Sequence, residues 1–229
     1  MILSDQDIGA VMLSLRVAGV ATLAALPFAV LAGLALARGR FIGRSLLDAA
    51  VHLPLVLPPV ATGYGLLILF GRRGLIGQVL AQVGIVFAFS WTGAALAAGI
   101  MAFPLMVRPI RLSIEAIDRE VEESARTLGA SLWQRFWRVI LPLSGPGVAA
   151  AVVLGFAKAL GEFGATITFV GAIPGETLTL PSDIYGATQS PGGEPRALAL
   201  CLVAAAIAVA AVLVSGLVSE RIARRVATP

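Results

Sequence analysis

Residues 108–129 read Arg-Pro-Ile-Arg-Leu-Ser-Ile-Glu-Ala-Ile-Asp-Arg-Glu-Val-Glu-Glu-Ser-Ala-Arg-Thr-Leu-Gly, and the same polar loop continues to Val-Ile-Leu-Pro at residues 139–142. The loop 108–142 holds six Arg and five acidic residues, whereas the whole chain is only 13% charged. Its apolar residues recur every three or four positions, at Ile114, Ile117, Val121, Ala125, Leu128, Leu132, Phe136 and Val139. That period predicts an amphipathic helix, interrupted at Gly129.

The composition around this loop is that of an integral membrane protein. The 229 residues are 58% hydrophobic and have a mean hydropathy of +0.93, far outside the usage of soluble domains. A single cysteine, Cys201, excludes an intrachain disulfide and is predicted to be a small buried residue. The sequence pI near 10.2 does not indicate nucleic-acid binding, because the arginines cluster beside hydrophobic segments.

Five stretches are long and apolar enough to cross a hydrocarbon core of about 30 Å. They are residues 11–37, 46–70, 85–107, 143–169 and 197–218. The second contains Pro54, Pro58 and Pro59, which predict either a kinked structural helix or a helix that lines a pathway. The first residues lack a positive n-region, so we expect an uncleaved first span. The expected fold is an all-α membrane protein with one domain over residues 1–229.

The basic residues predict how these spans are oriented. With the N-terminus outside, the inner side holds twelve arginines and the outer side holds three. The inner ones are Arg38, Arg40, Arg44, the six of the loop, Arg221, Arg224 and Arg225, and the outer ones are Arg72, Arg73 and Arg196. The positive-inside rule then places the charged loop and the C-terminus in the cytoplasm. The outer segment 171–195 is expected to be a plain loop, a cover over a pathway, or a contact for an external partner.

The chain carries no recognisable catalytic machinery. It has no G-x-x-x-x-G-K-[ST] phosphate loop, and its only lysine, Lys158, lies in a span. It also has a single histidine, His52, next to the proline-rich part of the second span. We therefore expect a chain that is not an enzyme, binds no metal or other cofactor itself, and uses His52 structurally.

Two parts of the charged loop form a known signature. Glu123-Ser-Ala-Arg-Thr-Leu-Gly129, nine further residues and Val139-Ile-Leu-Pro142 resemble the E-A-A-x-x-x-G-x9-I-x-L-P motif of bacterial ABC importer permeases. The resemblance implies a type I importer permease fold, in which this loop forms a coupling helix held by a partner ATPase. The coupling residues carried over are Glu123, Ser124, Ala125, Arg126, Leu128, Gly129 and Pro142. The alternative interpretation is an amphipathic helix that lies on the lipid surface.

Further segments resemble the oxyanion group within that family, and the molybdate permease subunits in particular. They are residues 52–59, 89–91, 103–108, 161–169 and 173–181, so the similarity runs in order along the chain. The segment Gly161-Glu-Phe-Gly-Ala165 is typical of permeases for molybdate, tungstate, sulfate and thiosulfate. The resemblance implies a homodimer in the bacterial inner membrane, two cytoplasmic ATPase subunits that bind ATP and Mg²⁺, and a periplasmic binding protein that delivers the oxyanion.

Lys158 and Glu162 lie four residues apart in the fourth span, on one helical face. Because a charge at the bilayer centre costs roughly 2.5–3.5 kcal/mol, neither is expected to be unpaired or to face lipid. The pair either stabilises packing or lines the translocation pathway together with Phe163. In the second case Lys158 attracts the oxyanion, and Glu162 prevents it from binding too tightly.

Another class of function is a self-sufficient secondary transporter or channel. Such proteins usually contain internal repeats or broken helices around a site at the bilayer midplane. No convincing repeat is found here, and five spans cannot form two equal halves. A purely structural scaffold leaves the charged loop unexplained.

Overall fold

The computed structural model describes residues 4–227, with side chains described except at residues 212 and 214–227. In chain order the helices are α1 (Asp5–Arg38), α2 (Arg44–Val56), α3 (Pro59–Phe70), α4 (Leu75–Gln82), α5 (Trp91–Glu115), α6 (Arg119–Thr127), α7 (Leu132–Arg135), a π-helical turn (Phe136–Ile140), α8 (Leu141–Leu143), α9 (Gly145–Leu160), α10 (Gly164–Val170), α11 (Leu180–Thr188) and α12 (Glu194–Ala227). Between residues 4 and 227 there is no strand, so the predicted all-α class is confirmed. The predicted inner residues Arg221, Arg224 and Arg225 lie outside the described side chains.

Helix α5 is the axis of the bundle and packs between α1 and α9. Its contact faces are built from small side chains, and Ala94, Ala98 and Ala102 are fully buried. A Cβ at Gly147 of α9 would lie 2.3 Å from the Ser113 Cβ of α5, so the two backbones are too close for any side chain at that position. Small residues suit helices in lipid, where association depends on close packing rather than on the hydrophobic effect.

The predicted spans match the helices in number more closely than in position. Three helical segments are long and apolar enough to cross a membrane alone: Asp5–Arg38, Trp91–Glu115 and Glu194–Ala211. Two bent pairs raise the number to five if each is one span: Arg44–Val56 with Pro59–Phe70, bent by 113°, and Leu132–Leu143 with Gly145–Leu160, bent by 69°. About five spans therefore agrees with the upper count among the described residues.

Two predicted spans had the wrong boundaries. The third was placed at 85–107, but α5 starts at Trp91 because the Ser90 side chain caps it by accepting from the Gly93 N–H at 3.2 Å. The fourth was placed at 143–169 as one helix, but α9 ends at Leu160 and α10 starts at Gly164. Hydropathy is continuous across both positions, so only the capping groups set these boundaries.

The prolines of the second predicted span cause a sharp bend rather than a gentle kink. Helix α2 ends at Val56, and α3 starts at Pro59, where the missing N–H of proline does no harm. Pro54 lies inside α2 without ending it. Helix α3 then packs against α10. The predicted interruption by proline is confirmed, whereas the structural helix and the helix that lines a pathway both stay predictions.

The outer segment 171–195 is packed and is not a plain loop. It contains α11, whose Leu180 N–H donates to the Ser14 hydroxyl of α1 at 2.7 Å. The Arg196 guanidinium of α12 donates to Asp7 of α1 and, at 2.7 Å, to Asp183 of α11. Burial is the largest influence on Asp183 and raises the pKa of that carboxyl above its usual value. This network joins α1, α11 and α12 near the N-terminal end of α1.

Cys201 was predicted to be buried, and that prediction is wrong. Its side chain is exposed on α12. Helix α12 packs against α9 and α11 along one face only, and Cys201 lies on another face. An apolar surrounding sequence does not distinguish burial in protein from exposure to lipid.

The close contact between α3 and α10 generates a stability prediction. A Cβ at Gly63 would lie 2.5 Å from the Ala165 carbonyl oxygen, whereas a Cβ at Gly65 would meet nothing within 4 Å. Gly63→Ala is expected to cost about 1–3 kcal/mol through overpacking and to lower the Tm by about 2–12 °C. Gly65→Ala, two residues away in the same helix, should leave the Tm unchanged or slightly higher. The measurement is thermal unfolding of both variants in detergent, and equal Tm values would contradict this packing.

Candidate functional site: the coupling loop and the charged pair

The charged loop folds into a separate short helix, α6, at the end of the bundle where α1 ends. The Asp118 side chain begins it by accepting from the Glu120 N–H at 3.0 Å. Glu120 and Glu122 lie in its first turn and Arg126 in its last, which is the favourable arrangement for the helix dipole. None of its residues is buried. The sequence predicted the helix but not the break before it, which Asp118 causes.

Gly129 ends this helix as predicted, through a specific hydrogen-bond pattern. The Gly129 N–H donates to the Arg126 carbonyl, and the Ala130 N–H donates to the Ala125 carbonyl, each at 3.0 Å. This pair of bonds is the Schellman motif, which requires a left-handed residue after the helix. Gly129 has φ +85°, a conformation that costs an L side chain about 1–2 kcal/mol.

The chain beyond Gly129 starts a second helical stretch immediately. The Ser131 hydroxyl accepts from the Gln134 N–H at 3.3 Å, and the Gln134 side chain accepts from the Ser131 N–H at 2.9 Å. This capping box begins α7, and the stretch ends in α8, which contains the predicted coupling residue Pro142. Pro142 is exposed and is separated from α6 by α7 and the π-helical turn.

Four large apolar side chains of the charged loop are exposed rather than packed against the bundle. Leu128, Leu132 and Trp133 are 88%, 78% and 70% exposed, and Val121 is exposed beside them. We call these four residues the coupling patch. Large apolar side chains in a polar segment mark a surface for a partner or for lipid.

The remaining predicted coupling residues surround the coupling patch. Glu123, Ser124 and Arg126 are exposed, and Ala125 is half-buried. All of the coupling residues except Pro142 therefore lie on α6 or in the turn that ends it. The charged side chains can orient a partner, and the apolar ones can enter a groove.

Arg38, at the end of α1, holds this loop in place. Its Nε donates to Glu122 Oε1 at 2.7 Å, and its Nη2 donates to the Ile117 carbonyl at 2.8 Å. Both side chains of the ion pair are largely shielded from solvent. From the sequence, Arg38 is predicted only as one of the arginines on the inner side. Nothing in the sequence indicates its partner, because the two residues are 84 positions apart.

Lys158 and Glu162 form the predicted ion pair, with Nζ and Oε2 2.5 Å apart. The Glu162 side chain is only 1% exposed, whereas that of Lys158 is 29% exposed. The second carboxylate oxygen of Glu162 accepts from the Ala165 N–H at 2.9 Å. Glu162 therefore accepts a hydrogen bond from the first turn of α10, at the break between α9 and α10. The sequence did not predict this break.

Phe163, the third predicted pathway residue, lies in this break. Its ring centroid is 5.1 Å from that of Tyr185 in α11. The structure thus brings Lys158, Glu162 and Phe163 together at one end of α9. Among the described residues, no group of three or more His, Cys, Asp or Glu side chains could hold a metal ion.

The arrangement agrees with known proteins in both sequence and fold. The chain is 53% identical, over 98% of its length and 96% of the other, to the molybdenum transport system permease protein ModB of Escherichia coli. A bacterial alginate ABC transporter in complex with its pentasaccharide-bound periplasmic protein has a similar fold, with TM-score 0.77 and 23% identity over 96% of this chain and 80% of that one. The MetNI methionine ABC transporter gives TM-score 0.73 and 17% identity over 96% and 99%.

These similarities confirm the resemblance to ABC importer permeases and the fold class that it implied. A model of the family described as binding-protein-dependent transport system inner membrane component matches residues 25–228. The chain belongs to this family of membrane-spanning permease subunits of binding-protein-dependent transporters.

Proposed function

We propose that this chain is the membrane-spanning subunit of an ATP-driven importer for molybdate. One domain over residues 1–229 forms the pathway, and the loop 108–142 within it receives the motion of a partner ATPase. A periplasmic binding protein delivers the oxyanion. The chain binds no cofactor in this scheme, because ATP and Mg²⁺ are bound by the ATPase.

The observation that carries the proposal is the geometry of α6. It is a polar helix with no buried residue, it is capped at both ends, and Arg38 ties it to a membrane-spanning helix. The coupling patch has the apolar character of a helix face that enters a groove on another protein. A helix fixed to α1 in this way can transmit the closure of two ATPase subunits to the spans.

The same geometry supports a definite orientation and assembly. We place the N-terminus in the periplasm and the C-terminus in the cytoplasm of a bacterial inner membrane, because the arginines are concentrated on the loop side. We place two copies of the chain over two ATPase subunits, so that each coupling patch meets one ATPase. The lipid-surface alternative for α6 is less favourable, because Glu122 is held on Arg38 and the helix has charges at both ends.

Molybdate is the proposed substrate because ModB of Escherichia coli, with 53% identity over nearly the whole chain, is named for molybdenum transport. Tungstate, sulfate and thiosulfate are the alternative substrates. We propose that the binding protein supplies most of the discrimination. Lys158 then serves as a cation in the pathway, and the fully buried Glu162 holds it there rather than meeting the anion itself.

Gly129 gives a direct test of the coupling role. Gly129→Val forces a branched side chain into a left-handed backbone and should change the direction of α6 relative to the bundle. ATP-driven uptake of radiolabelled molybdate should then fall by about ten-fold or more. Gly84→Val is the matched control, because Gly84 has φ +79° and also has open space around it, but lies between α4 and α5.

The assay uses vesicles with the permease, its ATPase and its binding protein, and membrane insertion of each variant is checked first. Full uptake by the Gly129→Val protein would contradict the coupling role. Uptake by the permease alone would favour the self-sufficient transporter. Competition by unlabelled tungstate, sulfate or thiosulfate separates the alternative substrates.

The charged pair gives a second test, based on a single variant and a double variant. Lys158→Met leaves a buried carboxylate without its counter-ion and should destabilise the chain by on the order of 3 kcal/mol. Adding Glu162→Gln removes the charge but keeps an acceptor for the Ala165 N–H, so the double variant should recover most of the Tm. We expect this stable double variant to import molybdate more slowly, since the pathway cation is gone. Wild-type uptake by the double variant would restrict the pair to a packing role.

A further inference from the structure

A groove between α1, α2 and α5 is not used by the proposed transport function. It has a volume of about 760 Å³, within the usual range for a ligand site, and its walls are almost entirely hydrocarbon. Small residues form its floor, among them Ala21, Ala24 and Gly99, and Phe28, Phe87 and Phe103 line it as well. The only hydroxyl among its lining residues belongs to Thr92.

An arginine lies at the outer end of this groove. Arg16 is one helical turn before the lining residue Val20 in α1, and it is exposed. Its guanidinium lies over the ring of Trp91, with the Cζ atom 3.7 Å from the ring centroid, and Trp91 precedes the lining residue Thr92. Among the described side chains, the ion pairs do not include Arg16. Arg16 therefore keeps its charge available beside the mouth of an apolar groove.

The position of Arg16 along α1 corresponds to a membrane surface. Arg38 contacts the cytoplasmic loop, and the 22 residues from Arg16 to Arg38 rise about 33 Å in a helix. That rise is close to the hydrocarbon thickness of about 30 Å, so Arg16 lies at headgroup depth in the outer leaflet. Trp91, at the start of the parallel helix α5, lies at the same depth, where tryptophan is enriched.

We propose that the groove binds one acyl chain of an anionic phospholipid, whose phosphate group is paired with Arg16. The lining residues from Val20 to Phe28 rise about 12 Å, which is close to the thickness of the hydrocarbon in one leaflet. An anionic headgroup neutralises the charge of Arg16, and the cation–π contact with Trp91 holds the guanidinium at the mouth of the groove. Bound lipid would then fill the space between α1, α2 and α5.

Fluorescence quenching of Trp91 by brominated lipids tests this site. Trp133→Phe and Trp137→Phe leave Trp91 as the single tryptophan of the full-length chain. The protein is reconstituted in phosphatidylcholine vesicles that contain increasing fractions of brominated phosphatidylglycerol or brominated phosphatidylcholine. The anionic lipid should reach half-quenching at about a five-fold lower mole fraction, the preference expected of one arginine at the membrane surface.

Three further variants connect the result to the groove. Arg16→Gln should remove the headgroup preference, and Arg40→Gln, which removes a charge near the inner end of α1, should leave it intact. Ala24→Phe fills the groove and should weaken quenching by both lipids. Equal quenching by the two lipids, or an unchanged preference in the Arg16→Gln protein, would overturn the proposal. Absence of quenching by either lipid would also overturn it and would indicate that a second copy of the chain covers the groove.

Discussion

The two hydrogen bonds of Arg38 are the interaction on which the rest of this structure depends. The guanidinium joins the end of the first span to Glu122 and to the Ile117 carbonyl, so the polar loop is fixed to the hydrophobic bundle at one point. Without it, α6 would be held only by its two chain connections and its contacts with α7 and the π-helical turn. Because an arginine–carboxylate bond is directional, it sets the angle of α6 as well as its position.

The attachment of α6 through Arg38 is rigid because the spans on which it rests are closely packed. Helix α5 runs without a break from Trp91 to Glu115 and lies against both α1 and α9 through alanines and glycines. In the proposed function, a displacement of α6 would be transmitted to α1 through Arg38 and to α5 through the short link at Ile117. The opposite end of α9 carries Lys158, Glu162 and the break before α10. The coupling loop and the charged pair thus lie near opposite ends of α9.

The sequence predicted those features that depend on neighbouring residues. The period of the apolar residues indicated α6, the glycine after it indicated the turn at Gly129, and the four-residue spacing indicated the Lys158–Glu162 pair. The resemblance supplied the class of transporter, which periodicity alone could not. Five apolar stretches also gave the upper count of spans.

The features that were missed depend on residues far apart in the chain. Arg38 and Glu122 are 84 positions apart, and Arg196 and Asp7 are 189 positions apart, so no local pattern relates them. The end of α9 was missed because hydropathy continues through Glu162, whose carboxylate holds the first turn of α10. Exposure of Cys201 was missed because lipid and protein interior select the same apolar residues.

The central claim is that the charged loop faces the cytoplasm, and labelling from each side of the membrane tests it most directly. In a Cys201→Ser chain, Ser124→Cys places a single thiol on exposed α6, and Ser190→Cys places one in the outer segment. A membrane-impermeant maleimide should label the Ser190→Cys chain in intact cells and the Ser124→Cys chain only in inverted vesicles. Labelling of the Ser124→Cys chain in intact cells would place the loop outside, beyond the reach of any cytoplasmic ATPase, and would contradict the account.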